Sequence, residues 1–435
     1  MSAAANTSNA PAGGAQEHLD RLAIVVVTYK RQELLSRLFD SFATLTQAPW
    51  RIIVIDNEAS PATEALVHSA NKRFAELWGA ADADALGGTD RMICVPQYEN
   101  TGGAGGFSAG VQHAWKLGAQ WFWVMDDDVE VMPEAIDRLA RWGARYQVVQ
   151  GSRLDYDDGP FYWQYQQLLR LGIPNPLAPA DLGPEGYKRM NSLCFEGGLF
   201  SRDVVRKIGF PDARFFIYGD DACYGYLASK VTECVVVADL ILKRSRVVSN
   251  WDIAGKRQLN STSDTNRFYI MRNRGFLARY LREHGDYHRV LYGVGTFATF
   301  SKELIRLAVV DRTFKTGIAQ LVRGMRAASI AIAIGHPCRR LTKRSIPHHR
   351  YRADSPCVRP LPARPQRTSA PRARPAPART APPCADVSRI LAPPEHACPR
   401  RAPTHPFTTP SSVRCLSVDF HMERTMPCTP GRRDV

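Results

Sequence analysis

The chain has 435 residues, 44% of them apolar, and a formal net charge of +15 at pH 7. That length holds two or three domains, and that apolar content supports a buried core. The charge is no nucleic-acid signal: residues 336–435 carry 19 Lys and Arg against 6 Asp and Glu, so the first 335 keep only +2 of it, and no nucleic-acid partner follows from it.

The first 20 residues lack the apolar run of a signal peptide and predict a disordered leader. Leu22–Thr28 (LAIVVVT) has the unbroken β-branched run of a strand buried on both faces. Gln32–Thr44 follows with apolar residues at helical spacing. Arg51–Asp56 (RIIVID) predicts a second buried strand, Pro61–Trp78 a helix, Met92–Pro96 a third strand, Gly106–Gly118 a helix, and Trp121–Met125 a fourth strand. Strand alternating with helix implies right-handed crossovers and a mostly parallel, Rossmann-like α/β sheet covered on both faces. Such sheets bind ligands beyond the carboxyl ends of their strands. The polar residues fall there: Thr28 to Arg31, Asp56 and Asn57, Asn100 and Thr101, and Asp126 to Asp128.

Asp157–Pro184, rich in Pro, Gly and aromatics, predicts an irregular loop or lid over that rim. Cys194–Ser201 and Phe215–Ser229 resume the core. From Asp264 to about Ile334 the periodicity is helical, with basic residues interleaved. The last hundred residues hold 19 of the 30 prolines and lack the periodicity that builds a core, which predicts disorder. The resulting organisation is a leader (1–20), an α/β domain (21–262), a helical segment (263–335) and an Arg/Pro-rich tail (336–435). Cys94, Cys194, Cys223 and Cys234 show no CxxC spacing and read as small buried hydrophobes of a reducing cytosol. No stretch reaches the 18 uninterrupted apolar residues of a membrane span.

Three consecutive aspartates at the end of a buried strand repel one another and resist burial, so a positive charge is expected among them. Mg²⁺ or Mn²⁺ takes one or two carboxylates and fills its shell with water and phosphate. Asp126 and Asp128 share a side of an extended segment and suit that task, leaving Asp127 to a ribose or a backbone donor. The other reading is an acidic turn capping a helix that starts near Pro133. The glycine loop Asn100–Gly110 (NTGGAGGFSAG) is not a dinucleotide fingerprint, because Ser108 stands where the pattern requires glycine. It reads either as close helix packing or as a helix opening whose N–H groups face a phosphate or sugar. Asp220 and Asp221 read either as a general base for an acceptor hydroxyl or as the cap of a helix.

In order, VVVTYKR (Val25–Arg31), VIDN (Val54–Asn57), ENTGGAGGFSAG (Glu99–Gly110) and MDDD (Met125–Asp128) resemble the GT-A inverting glycosyltransferases of family 2. IGFPDARFFIYGDDA (Ile208–Ala222) and RNRG (Arg272–Gly275) bring the resemblance nearest to galactofuranosyltransferases that initiate actinobacterial cell-wall galactan; rhamnosyltransferases share most of these motifs. The resemblance spans about Leu22 to Ile334. It implies a GT-A nucleotide-diphospho-sugar transferase fold. The donor would be UDP-galactofuranose or dTDP-rhamnose, the acceptor lipid-linked or a polysaccharide, and the sugar would move with inversion in one displacement. It implies a metal, Mg²⁺ or Mn²⁺, on Asp126 and Asp128. Asp56 and Arg31 would meet the uracil–ribose part and Asn100 the donor, with Thr28, Asn57, Gly102, Gly103 and Asp127 completing the donor-binding set. Asp221 falls at the usual base position, behind Gly219 and Asp220. The family commonly adds a metal-ligating histidine about two dozen residues later. Leu240–Asp252 has none, and Lys243, Arg244 or Arg246 would offset diphosphate charge instead. That departure leaves an alternative, a catalytically weak sugar-nucleotide-binding subunit of an assembly complex.

The lack of a signal peptide and of a membrane span leaves the expectation of a cytoplasmic protein, its membrane contact peripheral on the inner face. The arginines Arg267, Arg272, Arg274, Arg279 and Arg282, continued by Lys302 to Arg326, read either as a basic amphipathic surface for anionic lipid or as the solvated face of helices whose apolar face packs on the catalytic domain.

Overall fold

The β-branched run Leu22–Thr28 forms strand β1, every residue of it buried. The computed structural model describes residues 18–159, 161, 164–247, 250–253 and 257–333; the expected tail and nearly all of the expected leader lie outside the described residues. After β1 come α1 (Gln32–Phe42), β2 (Arg51–Asp56), α2 (Pro61–Trp78), β3 (Met92–Pro96), α3 (Gly102–Leu117), β4 (Trp121–Asp126), β5 (Val129–Val131), α4 (Ala135–Gly143) and β6 (Val148–Leu154). The next stretch holds β7 (Tyr165–Leu168), β8 (Ile173–Pro176), β9 (Tyr187–Met190), β10 (Gly198–Ser201), α5 (Arg202–Ile208), α6 (Asp220–Ser229) and β11 (Cys234–Arg244). A small hairpin, β12 (Asn250–Ile253) with β13 (Arg257–Asn260), precedes α7 (Asp264–Glu283), α8 (Arg289–Arg306) and α9 (Phe314–Ala333).

The central sheet runs β3-β2-β1-β4-β10-β6-β11-β5, with β9 also on β11. Strands β1 to β4 are mutually parallel, and β11 is parallel to β6; β10, β5 and β9 run antiparallel. The expected α/β architecture with a largely parallel central sheet is the one observed. Alternation along β1 sends Ile24 and Val26 into the layer with Leu35, Phe39 and Trp123, and Val25 and Val27 into the layer with Phe107 and Val111. Each such aliphatic side chain contributes roughly 1.5–3 kcal/mol on full burial.

Register fixes the site. Thr28 pairs with Asp56, Val27 with Asp126, and Asp56 with Pro96. The polar ends of four strands therefore lie on one rim, as parallel pairing in this order requires.

Three sequence expectations change. Helix α3 begins at Gly102, four residues before the expected Gly106, because its glycines are helical packing positions. A Cβ on Gly106 would stand 2.5 Å from Val27 Cγ1, and one on Gly110 2.3 Å from Val25 Cγ1. Asp157–Pro184 is not irregular throughout: β7 and β8 form an antiparallel hairpin, from Tyr165↔Pro176 to Leu168↔Ile173. Three of the five α7 arginines, Arg267, Arg274 and Arg279, are buried and face no lipid, while Arg272 is half-buried and Arg282 exposed. Arg267 pairs with Asp264 and Asp311, and Arg274 donates to the carbonyls of Gly172 (2.8 Å) and Leu171 (3.0 Å). Both are buried, as is Arg279 beside Glu283. Helix α7 is an internal strut, held against α9 where a Cβ on Gly275 would stand 2.4 Å from the Ala328 carbonyl.

Candidate active site

Two carboxylate clusters define the site. The first lies where β4 ends. Asp127 turns towards β1: its carboxylate accepts from Thr28 Oγ1 at 2.7 Å and from Arg31 Nη1 at 2.9 Å. The same Arg31 nitrogen lies 3.1 Å from Asp128, and Arg246 lies 3.9 Å from Asp128. Thr28, Arg31, Asp127 and Asp128 thus form one network across the β1 and β4 ends. Arg31, 38% exposed, and Arg246, 52% exposed, stand at its open side.

Asp126 faces like charge. Burial, then the charges of Asp128, Glu196 and Asp127, push its carboxyl well above the usual carboxylate range, and Arg31 pulls the other way. A carboxylate held among carboxylates seeks positive charge. Among the described residues no group of three or more His, Cys, Asp or Glu is placed to hold a metal ion. Asp126 and Asp128 are two carboxylates of the kind a hard divalent ion takes when water and phosphate complete its shell.

Glu196 was not singled out in the sequence. It sits in the turn before β10, buried, with Arg244 at 2.9 Å from one carboxylate oxygen. Arg244 also lies 3.6 Å from Asp155, and Arg153 donates to the Glu196 carbonyl at 3.0 Å. This corrects the reading of Arg244 as a cation free for a diphosphate: it neutralises Glu196. Lys243 pairs with Asp158 at 2.7 Å. Arg246 is the one of the three cations that faces the aspartate cluster. The Glu196 signal, a lone acid in FEGG between apolar runs, has no distinctive sequence pattern.

Asp56 and Asn57 are used by their own loops. Asp56 accepts from the Glu58 N–H at 3.1 Å and the Ser60 N–H at 2.7 Å. Asn57 Nδ2 donates to the Gly102 carbonyl at 3.1 Å, and its Oδ1 accepts from Thr101 Oγ1 at 3.0 Å. Asn100 Oδ1 accepts from the Gly102 N–H at 2.9 Å. Asn57 and Asn100 therefore shape the turn that opens α3, with Gly102 at φ 70° and Gly103 next to it.

The second cluster opens α6. Gly219, at φ 84°, is its N-cap, so Asp220 and Asp221 are helical residues of its first turn rather than caps. Burial first, and Asp221 second, push Asp220 up to about 8. Burial also raises Asp221, opposed by the Ala222 N–H, the Cys194 thiol and Arg153. Tyr165, from the hairpin, lies close enough that the Asp221 charge raises its phenol further. This is the setting in which a carboxylate becomes a stronger base.

The clusters are joined through backbone. The turn before α6 places the Phe216 carbonyl on the N-terminus of α3, where it accepts from Ala104 N–H at 3.0 Å. A Cβ on Gly102 would stand 2.1 Å from that same oxygen, so the α3 opening and the α6 turn meet without room for a side chain.

Residues 23–209 match the family model Glycosyl transferase family 2. Galactofuranosyltransferase GlfT1 of Mycolicibacterium smegmatis (strain ATCC 700084 / mc(2)155) is 28% identical over 272 residues, covering 60% of this chain and 83% of that protein. Galactofuranosyltransferase GlfT1 of Mycobacterium tuberculosis (strain ATCC 25618 / H37Rv) is 30% identical over 205 residues, covering 45% of this chain and 60% of that protein. Among solved structures, S. aureus TarS 1–349 in complex with UDP-GlcNAc aligns with a TM-score of 0.46 at 11% identity, covering 72% of this chain and 81% of that one.

Proposed function

We propose that this chain, which carries a glycosyl transferase family 2 domain, moves galactofuranose or rhamnose from a nucleoside diphosphate to a lipid-linked or polysaccharide acceptor, with inversion. The likeness to the two galactofuranosyltransferases favours UDP-galactofuranose over dTDP-rhamnose. The observation that carries the reading is the pair of unlike carboxylate clusters, the α6 turn meeting the α3 opening beside the strand-end rim. One is part-neutralised by Arg31 and Arg246, and the other is buried with a raised proton affinity.

In this reading Arg31 and Thr28 hold Asp127 and so keep the β4 end in the shape that receives the donor. Asn57 and Asn100 set the α3 opening; with the Gly102 and Ala104 N–H groups taken by Asn100 and Phe216, the Gly103 backbone would face the donor. Asp126 and Asp128 would hold Mg²⁺ or Mn²⁺, which supplies Lewis-acid charge on the diphosphate when bound. Arg246 adds positive charge where negative charge develops on the leaving group. Asp221 takes the acceptor hydroxyl proton as that oxygen attacks the anomeric carbon from the face opposite the diphosphate. Asp220, its neighbour, raises the proton affinity of the pair.

The acceptor reading includes contact with a membrane surface. No helix among the described residues is long and apolar enough to cross a membrane. With Arg267, Arg274 and Arg279 of α7 buried, the surface for anionic lipid moves to α8 and α9. Val290, Val294, Phe297 (72% exposed), Ile305, Phe314 and Ile330 are exposed there, near Arg289, Lys302, Arg312 and Lys315. Apolar side chains among basic ones suit an interfacial helix.

A donor panel of UDP-galactofuranose, dTDP-rhamnose and UDP-glucose, with Mn²⁺ and a lipid-linked acceptor, tests the assignment. Turnover is expected with UDP-galactofuranose, and the anomeric configuration of the product by NMR should be inverted. Binding of all donors without turnover of any would favour the binding-subunit reading instead.

A further inference from the structure

The turn that leads into Asp220 is strained. Phe216 has φ 62° and ψ −60°, and the Ile217 N–H reaches back to the Phe215 carbonyl at 2.7 Å. That is a γ-turn with its central residue at positive φ, a conformation rare for a residue with a side chain. Tyr218 follows at φ 69° and Gly219 at φ 84°. Such outliers persist only where surrounding structure over-determines them, and they cluster at functional sites.

One side chain does most of the holding. Asn273 of α7 directs Nδ2 at the carbonyls of Phe215 (3.0 Å), Ile217 (2.7 Å) and Tyr218 (2.8 Å). Its Oδ1 accepts from Arg272 Nε (2.9 Å) and Nη2 (2.7 Å), which fixes which way the amide faces. Arg272 Nη2 also donates to the carbonyls of Arg214 (2.6 Å) and Phe215 (2.7 Å). The Phe216 ring stacks on Tyr269 of the same helix at 4.6 Å. The free face of this turn is the Phe216 carbonyl, which caps α3 at Ala104 against Gly102.

We propose that Arg272 and Asn273 are positioning residues that hold the Phe216 turn and thereby fix Asp221 relative to the Asn100–Gly103 loop. The inference rests on the proposed roles of Asp221 as base and that loop as donor contact. The amide group matters by its two N–H donors: a carboxylate of the same shape would face the carbonyls with negative charge. The turn would then relax towards ordinary φ values, and the base would move with respect to the donor.

The test compares Asn273→Asp and Asn273→Ser with Arg267→Lys, a substitution in the ion-pair network at the start of α7, away from the turn. Displacing a reacting group by about 1 Å costs on the order of 100-fold in rate, so Asn273→Asp is expected to lower kcat by about that much while changing the donor KM less than about threefold. Asn273→Ser, which keeps one donor, should fall between it and the parent chain and covers the case in which the aspartate variant fails to fold. Arg267→Lys should lower Tm with kcat kept. Hydrogen exchange of the peptide spanning 213–224 should rise in both Asn273 variants and not in Arg267→Lys. Unchanged exchange there, or kcat losses that track Tm equally in all three variants, overturns the proposal. Asp221→Asn separates the two layers. Full turnover in it removes the base assignment. A dead Asp221→Asn beside a fully active Asn273→Ser removes the positioning role alone.

Discussion

The β4 cluster and the α6 pair are both runs of aspartate, yet the fold treats them in opposite ways. At β4, guanidiniums reach the carboxylates: Arg31 serves Asp127 and Asp128, and Arg246 approaches Asp128. At α6, Asp220 and Asp221 are left to burial, helix N–H groups, a thiol and a phenol, with Arg153 the nearby positive charge that eases Asp221. In the proposed reading, cations at one cluster would receive a diphosphate, and their scarcity at the other would favour a base. Identical side chains take different chemistry from their surroundings.

The largest expected effect breaks the α6 half. Asp221→Asn should lower kcat by about 10²–10⁴-fold, the usual scale for a general base, with nucleoside diphosphate affinity kept. Calorimetric titration alongside steady-state rates checks both, and a variant with parental kcat would end the assignment.

At β4, Asp128→Ala should lower turnover by about 10²–10³-fold, the scale of one preorganised electrostatic contact. Unlike Asp221→Asn, it should also weaken Mn²⁺ binding, read by electron paramagnetic resonance of the free ion. Parental Mn²⁺ affinity and turnover would show that the cluster holds no metal.

The clusters should also differ in pH response. The α6 base works only deprotonated, and burial has raised the proton affinity of the pair, with Asp220 pushed up to about 8. Burial raises Asp221 itself, so turnover should climb with pH along a limb that lies above the ordinary carboxylate range. A limb at or below the ordinary carboxylate range would contradict this.

The smallest effect is on stability. A carboxyl whose folded-state proton affinity is raised binds its proton more tightly folded than unfolded. Its cost to the fold is absent below the ordinary carboxylate range, grows as pH rises and saturates above about 8. Asp220→Asn removes that cost, so its Tm advantage should be nil near pH 4 and reach roughly 2–4 °C at pH 8, the shift for about 1 kcal/mol in a domain of this size. Thermal unfolding at both pH values is the check, and a Tm loss at pH 8 would show that the Asp220 carboxylate stabilises the fold.

Much of this arrangement was legible in the chain. Local patterning set β1, β2, α2 and β3 at the residues where they are observed, because runs such as LAIVVVT and RIIVID have no other stable use than strands covered on both faces. Parallel order then put Thr28, Asp56 and Asp126 on one rim. Sequence also placed the aspartates at strand and helix ends, where their charge had to be answered. It could not say by what. That Arg244 answers Glu196 rather than a ligand, that Arg267 and Arg274 of α7 are buried on Asp311 and the Leu171 and Gly172 carbonyls, and that Asn273 holds a strained turn 55–58 residues away are pairings across long sequence separations. No periodicity encodes them. They depend on which side chains the packed helices and sheet bring within hydrogen-bond distance, and at that range burial and partner geometry, not residue type, decide what a charge does.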